Sequence, residues 1–234
     1  MDYIKPLQMK AYDTLKAMIL EGYFKKGEFY SETKTSKELG ISRTPIRDAV
    51  QRLAQEKYVD VIPSKGFRIH EISEQDLIET YQIRGALEGF CTVQLARNNN
   101  TVKAQKIIQQ LENLVLNQRY IIERGGTVEE FAPFDQRFHE QIVHYSENSS
   151  LISVFGNYLY QIKSQMYISL HAEGRMQQTV EEHYRIVEAI KTGSLEETYL
   201  ATLAHLEQPK IIIRNMNNTG TQDDSSFLSV TMKK

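Results

Sequence analysis

Residues 36–53 read Ser-Lys-Glu-Leu-Gly-Ile-Ser-Arg-Thr-Pro-Ile-Arg-Asp-Ala-Val-Gln-Arg-Leu, and no other stretch constrains the fold as tightly. A short helical pattern stops at Gly40. Ser42 then offers an N-cap for a second helix whose first turn holds Arg43, Thr44 and Pro45. Small polar side chains suit that cap, and proline in the first turn removes no intrahelical bond. Two helices joined at a tight glycine turn, with arginine leading the second, have the layout of a helix-turn-helix, whose second helix fits the DNA major groove. The pattern predicts that this helix ends near Gln55.

Apolar spacing extends the unit in both directions. Leu15, Met18 and Ile19 predict a helix over 10–21, stopped by Gly22, and Ser31 or a neighbour caps the helix that ends at Leu39-Gly40. Residues 58–62 and 67–71 read as strands around Pro63-Ser-Lys-Gly66, which makes a hairpin wing. From Ser73 the pattern changes to long helices: 73–97, 102–124, 133–146, 151–171, 177–192 and 194–215. Ser73-Glu-Gln-Asp76 opens the first, and the capping box Ser194-Leu-Glu-Glu197 opens the last. The predicted fold is mainly α. A winged helix-turn-helix with a small β-hairpin occupies 1–72, and an all-α antiparallel helical bundle occupies 73–216. The polar tail over 217–234 is expected to be poorly ordered.

The 234 residues suit one small and one medium domain. The net charge of −2 hides an asymmetry: through His70 there are 13 Lys/Arg against 9 Asp/Glu, leaving 15 against 21 in the remainder. A mildly basic head on an acidic body fits DNA binding. The longest apolar runs, such as Ile211-Ile-Ile213, are too short to cross a membrane. The start of the chain shows no apolar signal core, and Cys91 is the only cysteine, which excludes an intrachain disulfide. The expected location is the cytoplasm, with no membrane partner.

Arg43 and Arg47 lie four apart on one face of the predicted recognition helix. Each fork can take guanine O6 and N7, worth about 1–3 kcal/mol of discrimination. Ser42, Thr44 and the first-turn amides suit phosphate oxygens, which set register. Lys65 and Gly66 at the wing tip can approach the minor groove or backbone. Any one of these arginines alone reads equally well as a surface residue. The cap, the turn glycine, Pro45, the second arginine and the wing together point to DNA.

The string Leu39-Gly-Ile-Ser-Arg-Thr-Pro-Ile-Arg-Asp-Ala-Val50, with Gly22, Gly27, Ser31-Glu32, Leu53 and Gly66, resembles the GntR family of bacterial transcription regulators. It departs at Thr33, where many members carry a basic residue, and Lys34 or Lys37 can substitute from a neighbouring face. The resemblance implies a homodimer on an inverted-repeat operator.

A second constellation lies in the helical region. Asp135 and His139 share one helix face, while His183 and His205 sit on two later helices. A bundle can converge such residues, and one carboxylate with three imidazoles suits Zn, Ni, Mn, Fe or Co. The same residues also read as ordinary bundle histidines, and Asp135, soon after Ala132-Pro133, as a charge complementing a helix dipole. His144 is five residues from His139, about 140° around the helix. His70 and His171 lack partners in the sequence.

This region looks like the FadR-type ligand-binding domain, the FCD domain. The matching strings include Ile83-Arg-Gly-Ala-Leu-Glu88, Asp135-Gln-Arg-Phe-His139, Asn148-Ser-Ser-Leu151, Glu182-His183 and His205-Leu206. The resemblance implies that Asp135, His139, His183 and His205 bind a divalent transition metal ion, which in turn holds a carboxylate effector. Arg84 is the candidate clamp for that carboxylate. Its alternative is a helix salt bridge to Glu88. Relatives often carry further arginines near 158–169, where this chain has Tyr160, Gln161, Ser164, Gln165 and Tyr167 instead. That composition points to an effector less acidic than a di- or tricarboxylate, or one read by hydroxyl and amide groups.

The sequence therefore predicts a DNA-binding transcription regulator, a repressor rather than an enzyme, controlled by a small metabolite. One alternative is a regulator for which the ion itself is the signal. Another is a metallohydrolase, weakened because Glu140 and Glu182, beside the ligands in sequence, are expected to face away from them.

Overall fold

The computed structural model describes residues 7–219, which form two compact units meeting in sequence between Ile72 and Ser73. The first contains α1 (Leu7–Leu20), α2 (Glu32–Leu39), α3 (Arg43–Gln55), β1 (Val59–Ile62) and β2 (Gly66–Ile69). Gly40 terminates α2 in the left-handed region at φ 63°, which a residue with a side chain adopts at a cost. Ile46, Ala49, Val50 and Leu53 form the buried face of α3, and Ala11, Leu15 and Ile19 that of α1, against which α3 packs. Buried Glu56, just past α3, accepts from the Tyr12 hydroxyl at 2.5 Å and from Arg52 Nε at 3.1 Å. The first and last helices of the head are thereby tied together.

The two strands pair antiparallel, Val59 opposite Ile69 and Ile62 opposite Gly66, slightly shorter than the sequence predicts. Phe67 also exchanges backbone hydrogen bonds with Tyr30, at 2.7 and 2.9 Å. This close pairing explains Gly66. Its φ is 104°, and a Cβ there would lie 2.1 Å from the Tyr30 carbonyl oxygen. The wing glycine is thus required by the fold itself, whatever it does toward DNA.

The second unit holds α4 (Glu74–Arg97), α5 (Val102–Glu123), α6 (Val128–Tyr145), α7 (Ser149–Leu170), α8 (Arg175–Thr192) and α9 (Leu195–Thr219). A capping box between Ser73 and Asp76 starts α4. This helix packs against α6, α7, α8 and α9, and it is buried on more than one side. Gly89 leaves room for a side chain of α9, since a Cβ there would lie 2.8 Å from the Tyr199 ring. No helix among the described residues is long and apolar enough to cross a membrane.

Two boundaries differ most from the sequence reading, and the other helix ends shift by at most three residues. Helix α6 starts at Val128, five residues before Pro133, because Thr127 and Glu130 form a capping box. Pro133, the sixth residue, leaves unmade only the bond its own N–H would give the Glu129 carbonyl. Helix α9 continues through Pro209 to Thr219, so the backbone of 217–219 is helical where a tail was expected. The rest of that tail, 220–234, lies outside the described residues.

Candidate metal centre and DNA-reading helix

In the first unit, α3 has a polar and an apolar side. Pro45 and Ile46 are buried, while Ser42, Arg43, Thr44 and Arg47 are exposed. Ser42 has the extended N-cap conformation, but its hydroxyl makes no capping bond and stays available to a ligand. Arg47 Nε lies 3.3 Å from Glu32 Oε2 on α2, an exposed pair that phosphate or base contacts can displace. Lys65 is exposed at the hairpin tip, its ammonium 4.9 Å from the centre of the Phe29 ring. Thr33 is half-buried, and its carbonyl accepts from the Ser36 hydroxyl, whereas Lys34 and Lys37 are exposed.

In the second unit, α6, α8 and α9 bring His139, His183 and His205 together. Each offers a ring nitrogen within 4.8 Å of the others, and all three are buried. Asp135, also buried, places Oδ2 3.8 Å from His139 Nε2 and Oδ1 3.7 Å from His183 Nε2. Because α6 begins at Val128, Asp135 lies two turns inside the helix. The helix-dipole explanation for it therefore falls away, since that effect fades beyond the first turn.

The other ring nitrogens are all engaged. His139 Nδ1 is 2.5 Å from Glu88 Oε2 on α4, His205 Nδ1 is 2.7 Å from Glu182 Oε2, and His183 Nδ1 is 3.0 Å from Gln118 Oε1 on α5. Burial alone raises a carboxyl pKa, but Arg84 and His139 outweigh it at Glu88 and hold that carboxyl well below the usual range. At Glu182, hydrogen bonds from His205 and Arg175 likewise overcome burial. Ionised carboxylates only accept, so Nδ1 of both His139 and His205 carries a proton, and Nε2 is the atom left to hold an ion. Those two Nε2 atoms are 3.3 Å apart, and His183 Nε2 is buried with no hydrogen-bond partner. Burial, reinforced by the neighbouring histidines and arginines, lowers the His183 pKa well below normal and keeps its ring neutral. Three buried imidazoles converging beside a carboxylate fit a divalent cation, and hydrogen-bond acceptors on Nδ1 are the usual supports of such ligands.

The expectation that Glu182 faces away from the ligands is thus wrong. It reaches from α8 to His205 on α9, and Arg175 binds both its oxygens, at 2.8 and 2.7 Å. Glu140 instead pairs with Gln136 on its own helix. Arg84 makes the helix salt bridge to Glu88, Nε to Oε1 at 2.7 Å, yet its Nη2 is buried without a partner. Arg175 repeats this arrangement, with Nε unpartnered and the residue 1% exposed. Two Arg–Glu–His chains, Arg84–Glu88–His139 and Arg175–Glu182–His205, therefore end at the same point. Glu88, Gln118, Glu182 and Arg175 were not singled out as site residues from sequence. Only the Glu182-His183 adjacency and the i,i+4 spacing of Arg84 and Glu88 hinted at any of them.

Comparison with known proteins agrees with this division. Residues 7–69 match the family of bacterial regulatory proteins, gntR family, and residues 79–208 match the FCD domain. The uncharacterized HTH-type transcriptional regulator YdhC of Bacillus subtilis (strain 168) is 29% identical over 208 residues, 88% of this chain and 90% of that one. The gluconate operon transcriptional repressor of Bacillus licheniformis is 28% identical over 185 residues, 76% of this chain and 73% of its own. Among solved structures, E. coli McbR/YncC has the same fold, with a TM-score of 0.68 at 22% identity, covering 92% of this chain and 100% of that one. The family consists of regulators, which sets the hydrolase alternative aside. With its exposed arginine-bearing α3 and its helical second unit, the chain belongs to the gntR family of bacterial regulatory proteins, as a DNA-binding transcription regulator carrying an FCD domain.

Proposed function

We propose that this protein is a repressor whose operator affinity is set by a small carboxylate bound in the helical domain, next to a divalent metal held by Asp135, His139, His183 and His205. The observation that carries this reading is the set of three buried Nε2 atoms facing one another while every Nδ1 is held by Glu88, Gln118 or Glu182. Zn, Ni, Mn, Fe and Co all suit the mixed nitrogen and oxygen donors. When bound, the ion supplies a Lewis-acid anchor for a carboxylate oxygen. The unpartnered Nη2 of Arg84 supplies a donor to the same group.

On the DNA side, Arg43 and Arg47 read guanine edges, Ser42 and Thr44 hold phosphates, and Lys65 and Gly66 bring the wing to the duplex. A homodimer sets two α3 helices on an inverted repeat. A repressor role is supported by relatives that carry that description, the gluconate operon repressor and the probable D-xylose utilization operon transcriptional repressor of Paenarthrobacter nicotinovorans, 27% identical. The effector acts by binding the DNA-competent and DNA-incompetent states unequally.

The test is a gel shift on an operator selected from random duplexes, using metal-loaded and metal-stripped protein with and without a panel of small carboxylates. Release of DNA by an acid from the loaded protein alone is the expected result. A difference between loaded and stripped protein with no acid present would make the ion the signal. No response to any acid in either form would overturn the proposal.

A further inference from the structure

The wing of the first unit holds its cations in two different ways. Arg68, in β2, pairs with Asp60 across the hairpin, Nε to Oδ2 at 3.2 Å. Lys65, exposed at the tip, has no carboxylate partner among the described residues. Its ammonium lies instead 4.9 Å from the centre of the Phe29 ring. Phe29 is 48% exposed. Nearby, Phe24, Tyr30 and Phe67 pack on one another with ring centres 4.7, 5.3 and 5.8 Å apart, and Phe29 has no ring partner among the described residues.

A single exposed aromatic is ordinary on a protein surface. What sets Phe29 apart is that the backbone fixes both members of its pair. Tyr30, next to Phe29, exchanges two backbone hydrogen bonds with Phe67, at 2.7 and 2.9 Å. The Lys65 N–H donates to the Ile62 carbonyl at 3.1 Å and closes the hairpin turn. Gly66, next to Lys65, is pressed against the Tyr30 carbonyl. Residues 29 and 65 are therefore set beside one another by the strand pairing itself.

The kind of contact matters more than its strength. An ammonium paired with a carboxylate is neutralised, and a phosphate must displace the acid before it can bind. An ammonium on an aromatic face keeps its whole charge and is covered on one side only. A free lysine also gives up the rotamer freedom of a four-carbon stem when it takes hold of a phosphate. The ring removes part of that cost in advance, which is preorganisation.

We infer that Phe29 is a positioning residue for DNA binding: its ring holds the Lys65 ammonium, still charged, at the wing tip, ready for a phosphate of the duplex. This rests on the wing reading proposed above and adds to it the side chain that prepares the contact.

Fluorescence anisotropy of the full-length protein on its selected operator tests this, over a range of salt. The variants are Phe29→Leu, Phe29→Tyr, Phe29→Trp, Lys65→Ala and the double variant Phe29→Leu with Lys65→Ala, with melting curves to confirm that each is folded. Phe29→Leu should weaken binding by about two- to threefold, the low end for an exposed cation–π contact and no more than Lys65→Ala loses. Affinity should fall in the order tryptophan, then phenylalanine and tyrosine, then leucine at position 29, following the ring's charge distribution rather than apolar bulk. In the Lys65→Ala background, Phe29→Leu should cost nothing further. Three results would overturn the inference: Phe29→Leu binding as the wild type does, leucine at position 29 matching tryptophan, or a loss of the same size with and without Lys65. The wing reading survives any of them if Lys65→Ala alone weakens binding and lowers the salt slope by about one. Unchanged affinity and slope in Lys65→Ala would remove the wing reading and the inference with it.

Discussion

The two units present their function in opposite ways. The head displays its candidate DNA-reading residues: Ser42, Arg43, Thr44 and Arg47 fall within six consecutive residues and are all exposed. The bundle hides its own: the four candidate ligands come from three helices, their supports from α4, α5 and α8, and nearly every polar atom involved is buried. A surface that reads DNA must stay solvated and charged. A site that holds a cation beside a small acid works best where low dielectric strengthens each contact and where an empty position is felt as unpaired polar atoms.

Substitutions should therefore separate cleanly between the two regions. The largest effect is expected from His183→Ala, which removes a fully buried ligand; metal affinity should fall by more than about a hundredfold, above the usual loss for a supporting residue. Titration with a chromogenic chelator reads it, and operator binding of the effector-free protein should be unchanged. Next come Arg43→Ala and Arg47→Ala, each lowering specific operator affinity by about 10–100-fold with no change in metal content or melting temperature. If either arginine variant lost metal, the separation would be broken. Glu182→Gln should weaken metal binding by about 10–100-fold because it loosens His205, and it should also lower the melting temperature because Arg175 loses its ionic partner. The smallest effect belongs to Lys65→Ala: a slight loss of affinity, uniform across DNA sequences, with the slope of log affinity against log salt falling by about one.

The same contrast explains what the sequence disclosed. Helix order, the hairpin and the cap at Ser42 were legible because they are set by local pattern. The start of α6 differs because Pro133 reads as a boundary in sequence, while the capping box that opens at Thr127, six residues earlier, decides it. Asp135, His139, His183 and His205 could be named as candidates from residue type and resemblance. Their supports could not, because Glu88 meets His139 across 51 positions and Gln118 meets His183 across 65. No periodicity encodes such pairings. Arg175 is a further case: the resemblance points to arginines along 158–169, whereas the buried one stands at the first position of α8.

The central claim is that one divalent ion sits where three histidines and Asp135 converge. Native mass spectrometry after loading with zinc, nickel, manganese, iron or cobalt tests it most directly, on the wild type and on His183→Ala, with circular dichroism to confirm that both remain helical. The expected result is one ion per wild-type chain for at least one of these metals and none for the folded variant. Equal metal content in the two proteins, or no ion on the wild type with any of the five, would contradict the account.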